Sequence, residues 1–290
     1  MHEYLRSIGF SGKLSRKDLK ELVDWVIEKP DHMTICAVDE DVTIAEASRE
    51  IGGHAGIRVV GEIDETGRVI PEYYFPYVES DMISSDAQIS VEKQTDRNGY
   101  IGMCEDYRLG MALIFSVANV ADVARHDADL NRNATFSKVS LNLLASDGVV
   151  LLPLEMSEKV IAKRNDEREQ RKKLIQEAHQ GNSAAIDAIT RNEVHHFHHI
   201  MERLHRTDVY TVVESFFMPH GMESERYYLM GRIASCMRIV NELTGEAFYR
   251  MNVEVNDMNV CVAIAENDLY GEPHAGDRLK CHVWSLGELR

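Results

Sequence analysis

The chain has 290 residues, 44% of them hydrophobic and 28% charged, the composition of an ordinary soluble globular protein with room for about two domains. Its 48 Asp/Glu against 32 Lys/Arg give a net charge of −16, which repels phosphate backbones and argues against nucleic acid as a partner. No run approaches about 18 apolar residues, so no membrane span is expected; the five cysteines, 36, 104, 236, 261 and 281, form neither a disulfide framework nor a zinc pattern.

Met1-His-Glu-Tyr-Leu-Arg6 lacks the basic and apolar regions of a signal peptide, which suggests a cytoplasmic protein with reduced thiols. Tyr4, Leu5, Ile8 and Phe10 suggest a short helix closed by Gly12. Ser15 then caps a second helix, with Asp18 at the capping-box position. Leu19, Leu22, Val23, Val26 and Ile27 form its apolar stripe, and Pro30 ends it. Met33 to Val38 reads as a strand. Residues 42–51 combine helix and turn signals, and the balance favours a strand.

From Gly56 to Pro153 the pattern is antiparallel β. Ile57–Ile63 and Val69–Tyr77 flank the hairpin loop Asp64-Glu-Thr-Gly67. Ile89 and Val91 precede a second hairpin signal, Asp96-Arg-Asn-Gly99. Met111–Val117 reads as a central strand and Val120–Leu130 as a helix. Val139–Ala145 and Val149–Leu154 flank Asp147-Gly148, which predicts a tight hairpin. Residues 1–157, with 27 acidic and 15 basic side chains, are expected to form an α+β domain of one antiparallel sheet with helices on one face.

Residues 163–173 contain no apolar side chain, so a helix there is a solvated bridge between packed bodies. Glu158 to Gln180 as helix would span about 35 Å. The bridge is set at 158–207. Beyond it, Val209, Val212, Val213, Phe216 and Phe217 suggest an amphipathic helix ended by Met218-Pro-His-Gly221. The period then changes to 2. Tyr228–Met237, Ala247–Val255, Asn259–Ala265 and Arg278–Leu286 predict four strands of a small OB/SH3-like β-barrel within a domain 208–290.

Four blocks, residues 1–11, Tyr73-Tyr-Phe-Pro-Tyr77, 208–221 and Asp268-Leu-Tyr-Gly-Glu-Pro273, resemble an uncharacterised bacterial family known only as a domain of unknown function. The resemblance runs through nearly the whole chain in the same order. It implies one co-linear unit and brings no activity, cofactor or ligand.

Three groups of residues are candidate sites. His195-His-Phe-His-His199, with Glu202 and His205, puts its polar members opposite Val194, Phe197, Met201 and Leu204 on a helical wheel. His195 and His199 are four apart and Glu202 three further, a spacing that can hold a divalent ion. A solvated His-rich face is the weightier reading. Glu72, Tyr73, Tyr74 and Tyr77 lie in a strand confined by Pro71 and Pro76 to an edge or bulge, where aromatics can take a peptide or small ligand. A core strand blunted by proline explains the same residues and is the weightier reading. Cys104-Glu-Asp106 with Arg108 reads as a turn rather than a nucleophile site, and Trp25 and Trp284 as core anchors.

No nucleophile elbow, zinc signature, Walker loop or dinucleotide fingerprint occurs. The sequence therefore favours a non-catalytic binding or scaffold protein, with a protein or small-molecule ligand, no cofactor, and self-association open. The alternative is an enzyme with a site between domains, metal-assisted through the His195–His199 face.

Overall fold

The structure is a computed structural model that describes residues 3–12, 14–38, 42–106, 108–109, 111–129, 135–153, 213–221 and 224–290, with scattered positions between 166 and 188. Two compact units divide the chain. One comprises residues 1–151 together with 215–290, and the other residues 152–214. The expected bridge lies almost wholly outside the described residues.

In the first unit, Glu3–Ile8 forms a 3-10 turn closed by Gly9 at φ +86, a left-handed position suited to glycine. Helix α1 (Arg16–Glu28) opens on the expected capping box: the Asp18 amide donates to Ser15 Oγ and the Ser15 amide to the Asp18 carboxylate. Its Leu22, Val23 and Val26 are buried, and Arg49 lies over the Trp25 ring at 3.8 Å while donating to the Trp25 carbonyl. Four strands, β1 (His32–Ala37), β2 (Thr43–Gly52), β3 (Ala55–Ile63) and β4 (Val69–Val78), form an antiparallel sheet in sequence order. The turn between β3 and β4 is the expected one, with Gly67 at φ +80. β4 is an edge strand. Its register shifts where Pro71 faces Gly61, which gives both prolines a place that needs no ladder donor.

The second sheet holds β5 (Ile89–Lys93), β6 (Tyr100–Asp106), β7 (Met111–Val117), β8 (Thr135–Phe136) and β9 (Val139–Leu151), with helix α2 (Val120–Asp129) between β7 and β8. It continues through β10 (Phe216–Pro219), β11 (Arg226–Val240), β12 (Ala247–Val255), β13 (Met258–Ala265), the short β14 (Leu269–Tyr270) and β15 (Arg278–Leu289). Within it, β11, β12, β13, β9 and β15 pair in a closed ring, a five-stranded barrel whose one parallel contact is β13 with β9.

This closure corrects several expectations. Residues 1–157 and 208–290 are not separate bodies, because β9 of the first segment runs antiparallel to β15 of the last over nearly its whole length. The predicted hairpin at Asp147-Gly148 is absent: β9 is continuous, and the irregularity is a bulge opposite His282 and Val283. The N-terminal half carries two sheets rather than one, the second merging into the barrel. Phe216 and Phe217, expected on a helix, lie in β10, where Phe217 is buried against the Tyr227 ring at 4.5 Å. Pairing with β11 satisfies that backbone, and tertiary contact overrides the helical period.

Where β7 meets the barrel, Phe115 stands between Gly102 on β6 and Gly287 on β15. A methyl group on either glycine would sit 2.2 or 2.1 Å from the ring. β7 pairs with β15 at Ser116 and Val117. Two residues earlier the Tyr227 hydroxyl takes over, accepting from the Ile114 amide at 2.7 Å and donating to its carbonyl at 2.9 Å.

Candidate functional site

The 3-10 turn is locked onto the barrel by polar contacts at both ends. Ser7 Oγ donates to the Ala145 carbonyl, the Arg6 guanidinium pairs with Asp268, and Asn241 donates to the Ile8 carbonyl. Tyr4 is thereby fixed against Trp284, the rings stacked with centroids 5.6 Å apart and planes at 22°. Burial is the main reason the Tyr4 hydroxyl is pushed up to about 12, so it is a neutral donor near neutrality.

From the other side comes the edge strand. Phe75 meets Trp284 edge-on at 6.4 Å, and Tyr73 stacks on Phe75 at 6.1 Å. Residues two apart on a strand share a face, and the alternation after the bulge sets these rings side by side. The turn between β5 and β6 closes the wall. Glu72 accepts from both the amide and the side-chain nitrogen of Asn98, and the Tyr73 hydroxyl donates to the Asn98 carbonyl at 3.0 Å. So held, the turn places Arg97 over the Tyr73 ring at 5.0 Å.

Between these elements lies a cavity of ≈ 350 Å³. Tyr4, Tyr73, Tyr74, Phe75, Tyr100 and Trp284 supply its rings, Ser116 and Leu286 line it from β7 and β15, and Arg97, Glu225 and Arg226 stand in its wall. Ser116 is only 7% exposed, and among the described residues its hydroxyl has no hydrogen-bond partner. Arg226 pairs with Glu3 at 2.5 Å, and Glu225 accepts the Trp284 indole N–H at 3.3 Å. A smaller cavity of ≈ 160 Å³ shares Glu3, Tyr4 and Arg226 with the first and reaches His220 and His282. There His282 is bonded to Asp147 at 2.8 Å.

Of the four candidates from the edge strand, Tyr73 and Tyr74 line the larger cavity. Glu72 supports the turn behind it. Tyr77 is buried beneath Arg58, whose guanidinium lies 4.8 Å from its ring. His195, His199 and Glu202 lie outside the described residues. Among the described residues no group of three or more His, Cys, Asp or Glu side chains could hold a metal ion. Cys104 is buried, and burial pushes its thiol up to about 11, so it is protonated and a poor nucleophile. Asp106 beside it is clamped by Ser85 and bidentately by Arg108, which also donates to the Ser84 and Asp257 carbonyls. That cluster ties the β6–β7 end of the sheet to the barrel turn after β12.

Sequence reasoning did not find Tyr4, Arg97, Ser116 or Trp284 as cavity residues, because they come from four elements far apart in the chain. The usable signal was the strand register: an edge strand with four aromatics in five residues, three of them on one face, needs other side chains to pack against. Among the described residues no helix is long and apolar enough to cross a membrane. No curated protein and no solved structure matches the chain. Residues 5–287 match the family model described as "Domain of unknown function, E. rectale Gene description (DUF3881)", and the chain belongs to that family.

Proposed function

We propose that this is a non-catalytic binding protein that holds a small molecule in the aromatic cavity. The observation that carries this reading is the ring lining: six aromatics from four separated segments converge on one cavity of ≈ 350 Å³, at the lower end of the range for small-molecule sites. Aromatic walls supply most of the contact area, and a few placed polar groups supply orientation. Among the described lining residues no histidine or cysteine stands beside Ser116, and both wall carboxylates already accept hydrogen bonds from Arg226 or Trp284. That arrangement suits recognition better than proton transfer.

The finer reading of the barrel is SH3-like rather than OB-like. The last strand lies between the first and the second, and the 3-10 turn Glu266–Asp268 shortly precedes it. On this reading the whole stretch from 152 to 225 is an insertion between the first two barrel strands.

The test uses Trp25→Phe, which leaves Trp284 as the sole indole. Small-molecule extract from the source cell should shift Trp284 emission saturably and raise the melting temperature, since a ligand that binds only the folded state stabilises it. Native mass spectrometry should show a retained mass that Trp284→Leu abolishes. An extract that changes neither emission nor melting temperature, with no retained mass, overturns the reading.

A further inference from the structure

The charges in the cavity wall narrow what it can hold. Arg226 is neutralised by Glu3, and Glu225 is engaged with the Trp284 indole. Arg97 differs. Its Nε donates to Gln94 at 2.6 Å, and among the described residues no carboxylate lies within ion-pair distance of it. A guanidinium has five N–H donors, and its planar fork matches carboxylate and phosphate oxygens. In a chain of net charge −16, a cation in a cavity wall with no acidic partner among the described residues is able to take an anion brought from outside. Ser116, in the same cavity wall, adds a second unfilled demand: its buried hydroxyl has no partner among the described residues, and such groups are costly unless something bonds them.

Given a ligand in this cavity, we infer that it is a small planar aromatic anion. Its ring packs against Trp284 and Phe75, its carboxylate or phosphate takes the free edge of Arg97, and a polar ring substituent meets Ser116. A cationic ligand is disfavoured on the same grounds: Arg97 would repel it, and Glu3 is already paired with Arg226. A purely apolar ligand would leave both Arg97 and Ser116 unanswered. Glu72 and Tyr73 act as positioning residues, since they hold the turn that carries Arg97.

The experiment titrates the Trp25→Phe protein with phenylacetate, phenyl phosphate, phenylacetamide, hexanoate and phenethylammonium, following Trp284 emission and, in parallel, calorimetry. One or both aromatic anions should bind about tenfold or more tighter than the amide, the fold-change of one charge-assisted contact. Which of the two binds tighter tells a carboxylate ligand from a phosphate ligand. Hexanoate should be weaker because it cannot stack. Arg97→Gln should erase the preference for anion over amide while lowering the melting temperature only slightly, and Arg97→Lys, a charge without a fork, should fall between. Amide or phenethylammonium binding as tightly as the anions, or an anion preference that survives Arg97→Gln, overturns the inference and leaves the cavity as a binding site. No saturable change from any aromatic probe overturns both.

Discussion

Two tyrosines four residues apart on β4 each carry an arginine on the ring, and their surroundings could hardly differ more. Arg58 lies 4.8 Å from Tyr77 in an acid-matched network: it donates to the Ala118 carbonyl at 2.6 Å and to Glu79 at 2.8 Å, with Glu46 at 3.4 Å, and only its buried Nε has no partner among the described residues. Glu46 in turn accepts the Ala121 amide at the start of α2, so the network ties that helix to the first sheet. Arg97 lies 5.0 Å from Tyr73 and has one side-chain acceptor, Gln94. The same pair of residue types thus serves as a strut in one place and as an open receptor in the other. What separates them is the supply of acceptors. A buried cation with matched acids holds the fold, whereas a half-buried one without them is free to bind something else.

The largest effect should come from breaking the acid-matched network. Arg58→Met keeps the stem but strands Glu46 in the core, and uncompensated buried charge costs about 3–5 kcal/mol. Urea unfolding should show a lower midpoint at unchanged slope. Arg58→Met combined with Glu46→Gln should recover a substantial part, because both charges are then gone. A midpoint for Arg58→Met within error of wild type would mean that the network is not a strut, and the contrast between the two arginines would collapse.

A smaller effect, readable by pH, comes from Asp106. Burial opposes its charge, but hydrogen bonds from Arg108 and Ser85 outweigh that and hold its carboxyl below the usual range. A folded pKa below the unfolded value of about 3.9 means stability that is fully present above that value. It is lost as pH falls from about 4 through the folded pKa. Asp106→Asn should cost about 1.5–3 kcal/mol at pH 7, the worth of hydrogen bonds to a charged group. The difference from wild type should shrink as the solution is acidified through that window. A mutant cost that stays constant down to acid-induced unfolding would show that the Asp106 charge contributes nothing to the clamp.

The local structure was legible where local rules act alone. Ser15 and Asp18 announced α1, Asp64 to Gly67 announced the β3–β4 turn, and alternation located four of the barrel strands. The errors came where long-range pairing decides. Asp147-Gly148 carries the signature of a hairpin, yet β15 offers β9 a partner along both sides of it, and a bulge absorbs the mismatch. A side chain at 148 would also have met Ile264 at 2.8 Å, so the glycine is there for closeness rather than for a turn. Phe216 and Phe217 follow a helical stripe but lie beside β11. The cavity was half legible. Four aromatics beside two prolines flagged the edge strand, but nothing local joins Tyr73 to Tyr4 or Trp284, which meet only once the barrel closes.

The smallest stability effect should come from Arg97, which makes it the sharpest test of the contrast. Arg97→Gln removes a half-exposed charge with no acidic partner among the described residues, so no ion pair is lost. What goes is a hydrogen bond to Gln94 and a cation–π contact at a partly exposed ring, the latter worth about 0.5–1 kcal/mol. Glutamine restores an amide that can bond Gln94, so the net loss should stay below about 1 kcal/mol. A double-mutant cycle with Tyr73→Leu isolates the ring contact, and its coupling energy should be no larger than that same range. Relief of repulsion does not enter, because Arg226, the other cation in the wall, is neutralised by Glu3. A destabilisation from Arg97→Gln comparable with that from Arg58→Met would make Arg97 a second strut, and the cavity would lose the feature that sets its wall apart from the core.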